Sequence, residues 1–260
     1  MKCFYNVLIT ECIKLRRARI PLITIIFFIF IPLMMGLLMY LSQHPDIASK
    51  LGIIGIKASL FGENNWNTYF ILLNQIIASI GIIGFGFITS WIFGREYMDH
   101  TLKDLLALPA SRTMIVISKF TIVVLWSIIL CLVLFFSGLV IGYIIKLPGW
   151  SQQVFLENLS RFFIISGLTL LLSTPVALIA AYGKGIVAPI AFVIVMLILA
   201  QFAGLIGWGP YFPWSIPGVH SVSDGTTGMQ LVSASYIIII LTFFIGFIGT
   251  ILQWLRADQP

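Results

Sequence analysis

Nine carboxylates, three histidines and three cysteines are the groups in this chain that could carry protons, hold a metal or attack a bond. The carboxylates, Glu11, Asp46, Glu63, Glu96, Asp99, Asp104, Glu157, Asp224 and Asp258, all fall outside the cores of the long apolar runs. Carriers driven by protons or sodium generally keep ionisable groups inside such runs, at a cost of at least about 2.5–3.5 kcal/mol each, because those groups bind the driving ion. An ion-coupled carrier is therefore disfavoured, although backbone carbonyls and hydroxyls can also hold sodium. Intramembrane proteolysis is disfavoured as well, since it needs a buried nucleophile and base or a carboxylate pair. His44, His100 and His220 sit in three separate connections, read as solvated or interfacial, and give no metal-ligand spacing. Cys3, Cys12 and Cys131 suggest no disulfide. No G-x-x-x-x-G-K-[ST] pattern occurs, and Gly183-Lys184-Gly185 is only a short turn. The expectation is a chain that is not an enzyme and binds no cofactor or metal itself.

The elements that position these groups follow from composition. With 60% apolar residues, 9% charged residues and a mean hydropathy of +1.07, there is too little polar surface to cover a soluble globule. A bilayer span needs about 20 mostly apolar residues. Six stretches qualify, at 20–41, 71–94, 114–144, 162–181, 185–206 and 231–255. The fold class expected is an all-α polytopic membrane protein, one transmembrane domain over 1–260. The first stretch is read as a true span, because its apolar run is too long for a signal peptide and no small-residue cleavage pattern follows it. The third is overlong, and Lys119 near its start is expected to snorkel to the interface.

Orientation follows from loop cations. Lys2, Lys14, Arg16, Arg17, Arg19, Arg95, Lys103, Arg112, Lys119, Lys184 and Arg256 fall on one side, and Lys50, Lys57, Lys146 and Arg161 on the other. Both termini are therefore expected in the cytoplasm. The net charge of +6 is assigned to this bias and to anionic lipid, with no nucleic acid involved.

Within the spans, Asn74, Gln75 and Gln201 are the strongest polar residues, each worth about 0.6–2 kcal/mol if paired across helices. They could form a polar pathway or only bind the bundle together. Pro32, Pro175 and Pro189 are expected to kink or interrupt their helices. The Gly138-x-x-x-Gly142 pattern allows close helix approach but is too common to imply a dimer.

Two connections stand out. In 95–112, Met98, Leu102, Leu105 and Leu106 recur on one face of a short amphipathic helix closed by Pro109, although on periodicity alone a solvated charged loop is equally good. The 207–230 connection opens with an aromatic run broken by Pro210, Pro213 and Pro217. It cannot be one helix and is expected at the outer interface, where an aromatic belt explains it equally well.

Glu96, then Thr101-Leu102-Lys103, Leu105-Leu106-Ala107-Leu108-Pro109 and Ser111-Arg112, placed between a second and a third span, resembles the cytoplasmic loop of ABC-2 type permeases. In that family the segment forms a coupling helix seated in a groove of the ATP-binding subunit. The resemblance thus implies coupling roles for Glu96, Thr101, Leu102, Lys103, Leu105, Leu106, Leu108, Pro109 and Arg112. The stretch from Thr10 to Arg17 resembles the family's interfacial helix, with Glu11, Lys14, Arg16 and Arg17 at the membrane surface over segment 1–19. Tyr211-Phe212-Pro213-Trp214 is similar to the small bacitracin- and lantibiotic-resistance permeases, making those four residues a candidate outer gate.

What the resemblance implies is one permease half of a bacterial plasma-membrane exporter. Two ATP-binding subunits would hold ATP and Mg, and a second permease, identical or related, would complete the pore. The cargo would be an amphipathic peptide antibiotic, lantibiotic, lipid or hydrophobic drug. A passive channel, a scaffold or an ion-coupled carrier remains the alternative reading.

Overall fold

The computed structural model describes residues 2–44, 63–99, 101, 111–222 and 231–256. Residues 102–110, which hold Leu102, Lys103, Leu105, Leu106, Leu108 and Pro109, therefore lie outside the described residues, as does the 223–230 stretch of the fifth connection. The described part is helical: α1 (Lys2–Arg17), α2 (Ile20–Gln43), α3 (Trp66–Met98), α4 (Arg112–Ile144), α5 (Gln152–Leu171), α6 (Ser173–Tyr182), α7 (Val187–Leu205), α8 (Ile216–Val222) and α9 (Ser233–Arg256). Six units are long and apolar enough to cross a membrane: α2, α3, α4, the α5–α6 pair, α7 and α9. The protein is a multi-pass helical membrane protein, as its hydropathy implied.

Polar caps, which hydropathy does not register, extend several helices beyond the expected spans. Asn65 Oδ1 accepts from Thr68 N at 2.9 Å and Ser151 Oγ from Val154 N at 3.1 Å, each taking up an otherwise unpaired first-turn donor. So α3 starts five residues before the apolar run and α5 ten before it, with Glu157 exposed on the added turns. At the other end α3 continues through Arg95 and Glu96 to Met98. These residues finish a span rather than begin a separate loop helix.

The prolines behave differently from one another. Pro175 does interrupt: α5 ends at Leu171, and the carbonyl that Pro175 cannot serve accepts instead from Thr174 Oγ1 at 3.1 Å. Pro189 corrects the expectation of a kink, because it falls in the first turn of α7, where no intrahelical donor is needed. The helix α2 runs without a break through Pro32.

The helices alternate in direction, and contacts identify the two faces of the bundle. On the amino-terminal face, Arg112 at the start of α4 reaches the carbonyls of Trp254 and Leu255 at the end of α9, and Gly94 near the end of α3 approaches Gly185. On the opposite face, Trp66 N donates to Pro148 O at 3.1 Å and its ring meets Trp150. The helix α3 is central: 56% of its apolar window is buried against the rest of the chain, compared with 17% for α7 and 22% for α9. Its core contacts are aromatic, including Phe28 on Phe85, Phe70 on Phe135 and Phe93 on Phe120. The Gly138-x-x-x-Gly142 pattern receives α3 within the same chain, with Leu73 and Trp66 over the two glycines and Tyr69 Oη donating to Gly138 O at 3.0 Å.

Gly246 on α9 is the tightest helix contact with backbone, since a side chain there would meet the main chain of Thr174 and Pro175. Gly246→Leu should force α9 from α6, lowering stability by about 1–3 kcal/mol as overpacking does. A fall in the midpoint of thermal unfolding in detergent would register it, and an unchanged midpoint would contradict this packing.

Candidate functional site

A cluster of charges is buried at the amino-terminal face, where an isolated ion would be costly to keep out of water. Lys119 is wholly buried two turns into α4, so it does not snorkel as its position suggested. Its Nζ donates to Glu96 Oε1 at 2.7 Å, to Ile92 O at 3.0 Å and to Glu11 Oε2 at 3.3 Å, which uses all three donors. Lys14 Nζ bridges the same two carboxylates, at 2.7 Å to Glu11 Oε1 and 3.3 Å to Glu96 Oε1. Two lysines thus meet two glutamates, with Arg95 at the edge 3.9 Å from Glu96 Oε1 and 3.8 Å from Asp99 Oδ2, and together they fasten α1 to the end of α3 and the start of α4. Trp254 of α9 closes the cluster, its ring 5.9 Å from Lys119 Nζ and edge-on to Tyr97. Burial alone would raise the Glu11 carboxyl above its ordinary range, but Lys119 and Lys14 outweigh it and hold it below.

Around this cluster the remaining predicted residues separate. Glu11 and Leu15 face the bundle, whereas Arg16, Arg17, Ile9 and Ile13 are exposed. Helix α1 therefore has a protein face and an outer face carrying both cations and apolar groups, as an interfacial helix needs. Arg112 NH1 donates to Trp254 O at 3.2 Å and Leu255 O at 3.1 Å, taking up last-turn carbonyls of α9. Thr101 is exposed, and its amide donates to Glu96 O at 3.1 Å.

The opposite face holds the other group. Two 3₁₀ turns, Gly209–Tyr211 and Pro213–Ser215, lead into α8. Tyr211 stays exposed and Phe212 half-buried, but Trp214 is inserted between α3, α6 and α7, in one cluster with Ile82, Val176 and Val193. Ile82 is midway along α3, so this connection enters the bundle rather than lying at the interface. Below it a cavity of about 510 Å³ is lined by Gln75 and Gln201, among others. Asn74 points elsewhere: its Nδ2 donates to Asn158 Oδ1 at 3.3 Å, and Asn158 Nδ2 donates on to Asn67 Oδ1 at 3.4 Å. Asn74 is thus a packing group and Gln75 a cavity group, one residue apart.

Comparison with known proteins decides the family. The family model described as ABC-2 family transporter protein matches residues 7–201, three quarters of the chain. The chain belongs to the ABC-2 transporter family. It is also 30% identical over 218 residues to a bacitracin transport permease protein of Bacillus licheniformis, covering 84% of this chain and 97% of that one. Members of the family are transport subunits that generally work with ATP-binding subunits, so this chain is an ABC transporter permease.

In this permease the sequence reading missed that Glu11, Lys14, Glu96 and Lys119 meet. The available signal was their placement at helix ends predicted to share one face; nothing in the spacing showed that Lys119 points inward. Asn158 was missed because it lies in the polar extension of α5.

Lys119→Met leaves two buried carboxylates short of a partner, and should cost about 3–5 kcal/mol. Loosening of α1 is readable from amide-exchange protection along α1, taken relative to the intrinsic exchange rate at the same pH. In the unsubstituted permease the same readout should depend on pH. Because the native Glu11 carboxyl titrates below its unfolded value of about 4.5, its contribution is complete above that pH and is lost as pH falls through the native value. Docking of α1 that is indifferent to both changes would contradict the cluster's role.

Proposed function

We propose that this permease is one half of an ATP-driven exporter in a bacterial plasma membrane, with both termini cytoplasmic, and that it moves amphipathic peptide antibiotics outward. The observation that carries the reading is the buried Lys119–Glu96–Glu11–Lys14 cluster beside the 99–111 connection. That connection is held at both ends: Glu96 is tied to α1 and α4, and Arg112 to the end of α9. A force on it reaches four helices together. The cation bias of the sequence supports placing this face in the cytoplasm.

The energy source is a partner subunit carrying ATP and Mg, two copies per transporter, with a second permease chain, identical or related, opposite this one. Leu102, Lys103, Leu105, Leu106, Leu108 and Pro109, with Thr101, form the coupling contact in this reading. The partner drives the change only if it binds the connection differently in its open and closed states. A peptide cargo is supported by the relative, whose name assigns it bacitracin transport. Tyr211, Phe212, Pro213 and Trp214 then form the outer gate.

Purifying the tagged chain from its native host in mild detergent should bring down a P-loop ATPase in about equal amount. Leu105→Asp with Leu106→Asp should remove both that ATPase and peptide efflux while membrane insertion remains normal. Recovery of the chain alone, or full efflux by this variant at normal expression, would remove the coupling reading.

A further inference from the structure

A groove of about 880 Å³ lies where α4 ends, at the face opposite the charge cluster, and its walls are almost wholly apolar. Trp66, Val140, Tyr143, Ile144 and Trp150 line it, and all but Trp66 are more than half exposed, so the groove opens outward from the bundle. Its aromatic wall is braced from behind: Trp66 is edge-on to Trp150 at 4.8 Å, and Trp150 packs on Phe155 of α5 at 5.5 Å. The depth of the groove follows from the length of α4. Thirty-three residues at 1.5 Å each make about 50 Å, more than the roughly 30 Å of bilayer hydrocarbon. The last turns of α4 therefore reach the membrane–water boundary, where tryptophan and tyrosine rings are favoured.

Lys146 is the one charged side chain of the described residues in the lining, and the chain holds it there at a cost. Leu147 N donates to Gly142 O at 3.3 Å and Lys146 N to Tyr143 O at 3.1 Å, the pattern of a helix end closed by a left-handed residue. That position ordinarily takes glycine, yet Lys146 occupies it with φ of 53°, whereas the other left-handed position of this connection is Gly149. The nearest described acids are turned to other partners. Glu63 Oε2 accepts from Asn65 Nδ2 at 3.1 Å and Glu157 Oε1 from Gln153 Nε2 at 2.8 Å, and neither lines the groove. One cation thus stands at an interfacial level beside an apolar trough open to lipid.

We propose that this groove is a binding site for an anionic phospholipid of the leaflet at that face. One acyl chain lies in the trough along the end of α4, the headgroup phosphate pairs with the Lys146 ammonium, and Tyr143 and Trp150 flank the glycerol region between them. Openness toward the bilayer is what such a ligand requires, since it enters sideways and keeps its second chain in the membrane. The preference for a net negative headgroup comes from the single exposed cation and is accordingly modest. The site belongs to one chain and needs neither an ATPase nor a second permease, so it stands or falls apart from the exporter reading.

The test is tryptophan quenching in phosphatidylcholine nanodiscs that hold the full chain. The probes are phosphatidylglycerol and phosphatidylcholine, each brominated high on one acyl chain, and the Trp150 signal is taken as the difference from Trp150→Phe. Half-quenching should need about fivefold less brominated phosphatidylglycerol than brominated phosphatidylcholine, the effect of one lysine near an anionic headgroup. Lys146→Gly removes the ammonium while suiting the left-handed turn, and should bring the two half-quenching fractions together. Lys146→Arg keeps the charge and should keep the preference. Inorganic phosphate, compared with chloride at equal ionic strength, should leave the quenching unchanged. Equal quenching by the two lipids in the unsubstituted chain, or a preference that survives Lys146→Gly, would overturn the proposal. Displacement of the brominated lipid by inorganic phosphate would also overturn it, assigning Lys146 to a free anion.

Discussion

The wholly buried ammonium of Lys119 sets the constraint on which the amino-terminal face depends. A cation taken out of water must be compensated by ligands at hydrogen-bond distance. Lys119 draws one from α1 (Glu11), one carboxylate and one carbonyl from α3 (Glu96 and Ile92), and the ring of Trp254 from α9. Separating α3 from α4 would part Lys119 from Glu96 and leave both charges uncompensated in the apolar interior, and moving α1 alone would break the Lys119–Glu11 and Lys14–Glu96 contacts. The four elements therefore have a reason to move as a unit, which a purely apolar seam, able to slide with little loss, would not give. Glu96 Oε2 has no hydrogen-bond partner among the described residues, so the compensation is concentrated on Oε1, which Lys119 and Lys14 share with the Arg95 guanidinium 3.9 Å away.

Helix α3 links this clamp to the other face. Its 33 residues make a rod of about 50 Å at 1.5 Å per residue, longer than the hydrocarbon core of a bilayer. Glu96 sits near one end, Ile82 in the middle against the Trp214 cluster, and Gln75 at the cavity nearer the other end. A tilt of α3 driven at its Glu96 end would change the space between Gln75 and Gln201 without an intermediate element. The interruption at Pro175 lies on the neighbouring strut, where Thr174 Oγ1 joins Leu171 O to Phe243 O of α9, so that joint too is tied to the last helix.

Hydropathy made the number and order of the spans legible, because the cost of exposing polar backbone to lipid is common to every span. It did not mark helix ends, since Asn65 and Ser151 extend helices through polar residues that carry no apolar signal. Charge placement made the face assignment readable but misjudged Lys119: a lysine near a span end can turn outward or inward, and only the position of Glu11 and Glu96 in space decides. The family resemblance, resting on residues 10–17, 96–112 and 211–214, was supported by a match covering 7–201. The aromatic, proline-broken run from 207 was correctly read as not one continuous helix, since it forms two 3₁₀ turns and the short α8. Its entry into the bundle was not, because three prolines specify turns and not where the turns dock.

The most direct measurement compares ATP hydrolysis and peptide efflux by the reconstituted permease and its ATPase, with the cluster intact and with Lys119→Met, Glu96→Leu and Glu11→Gln combined. Replacing buried ions with neutral groups of similar size is often tolerated by a fold, so assembly should survive. The account predicts that ATP hydrolysis persists while efflux is lost, because the force on the 99–111 connection no longer reaches α1 and α4 together. Efflux at the unsubstituted rate with the charges removed would contradict it.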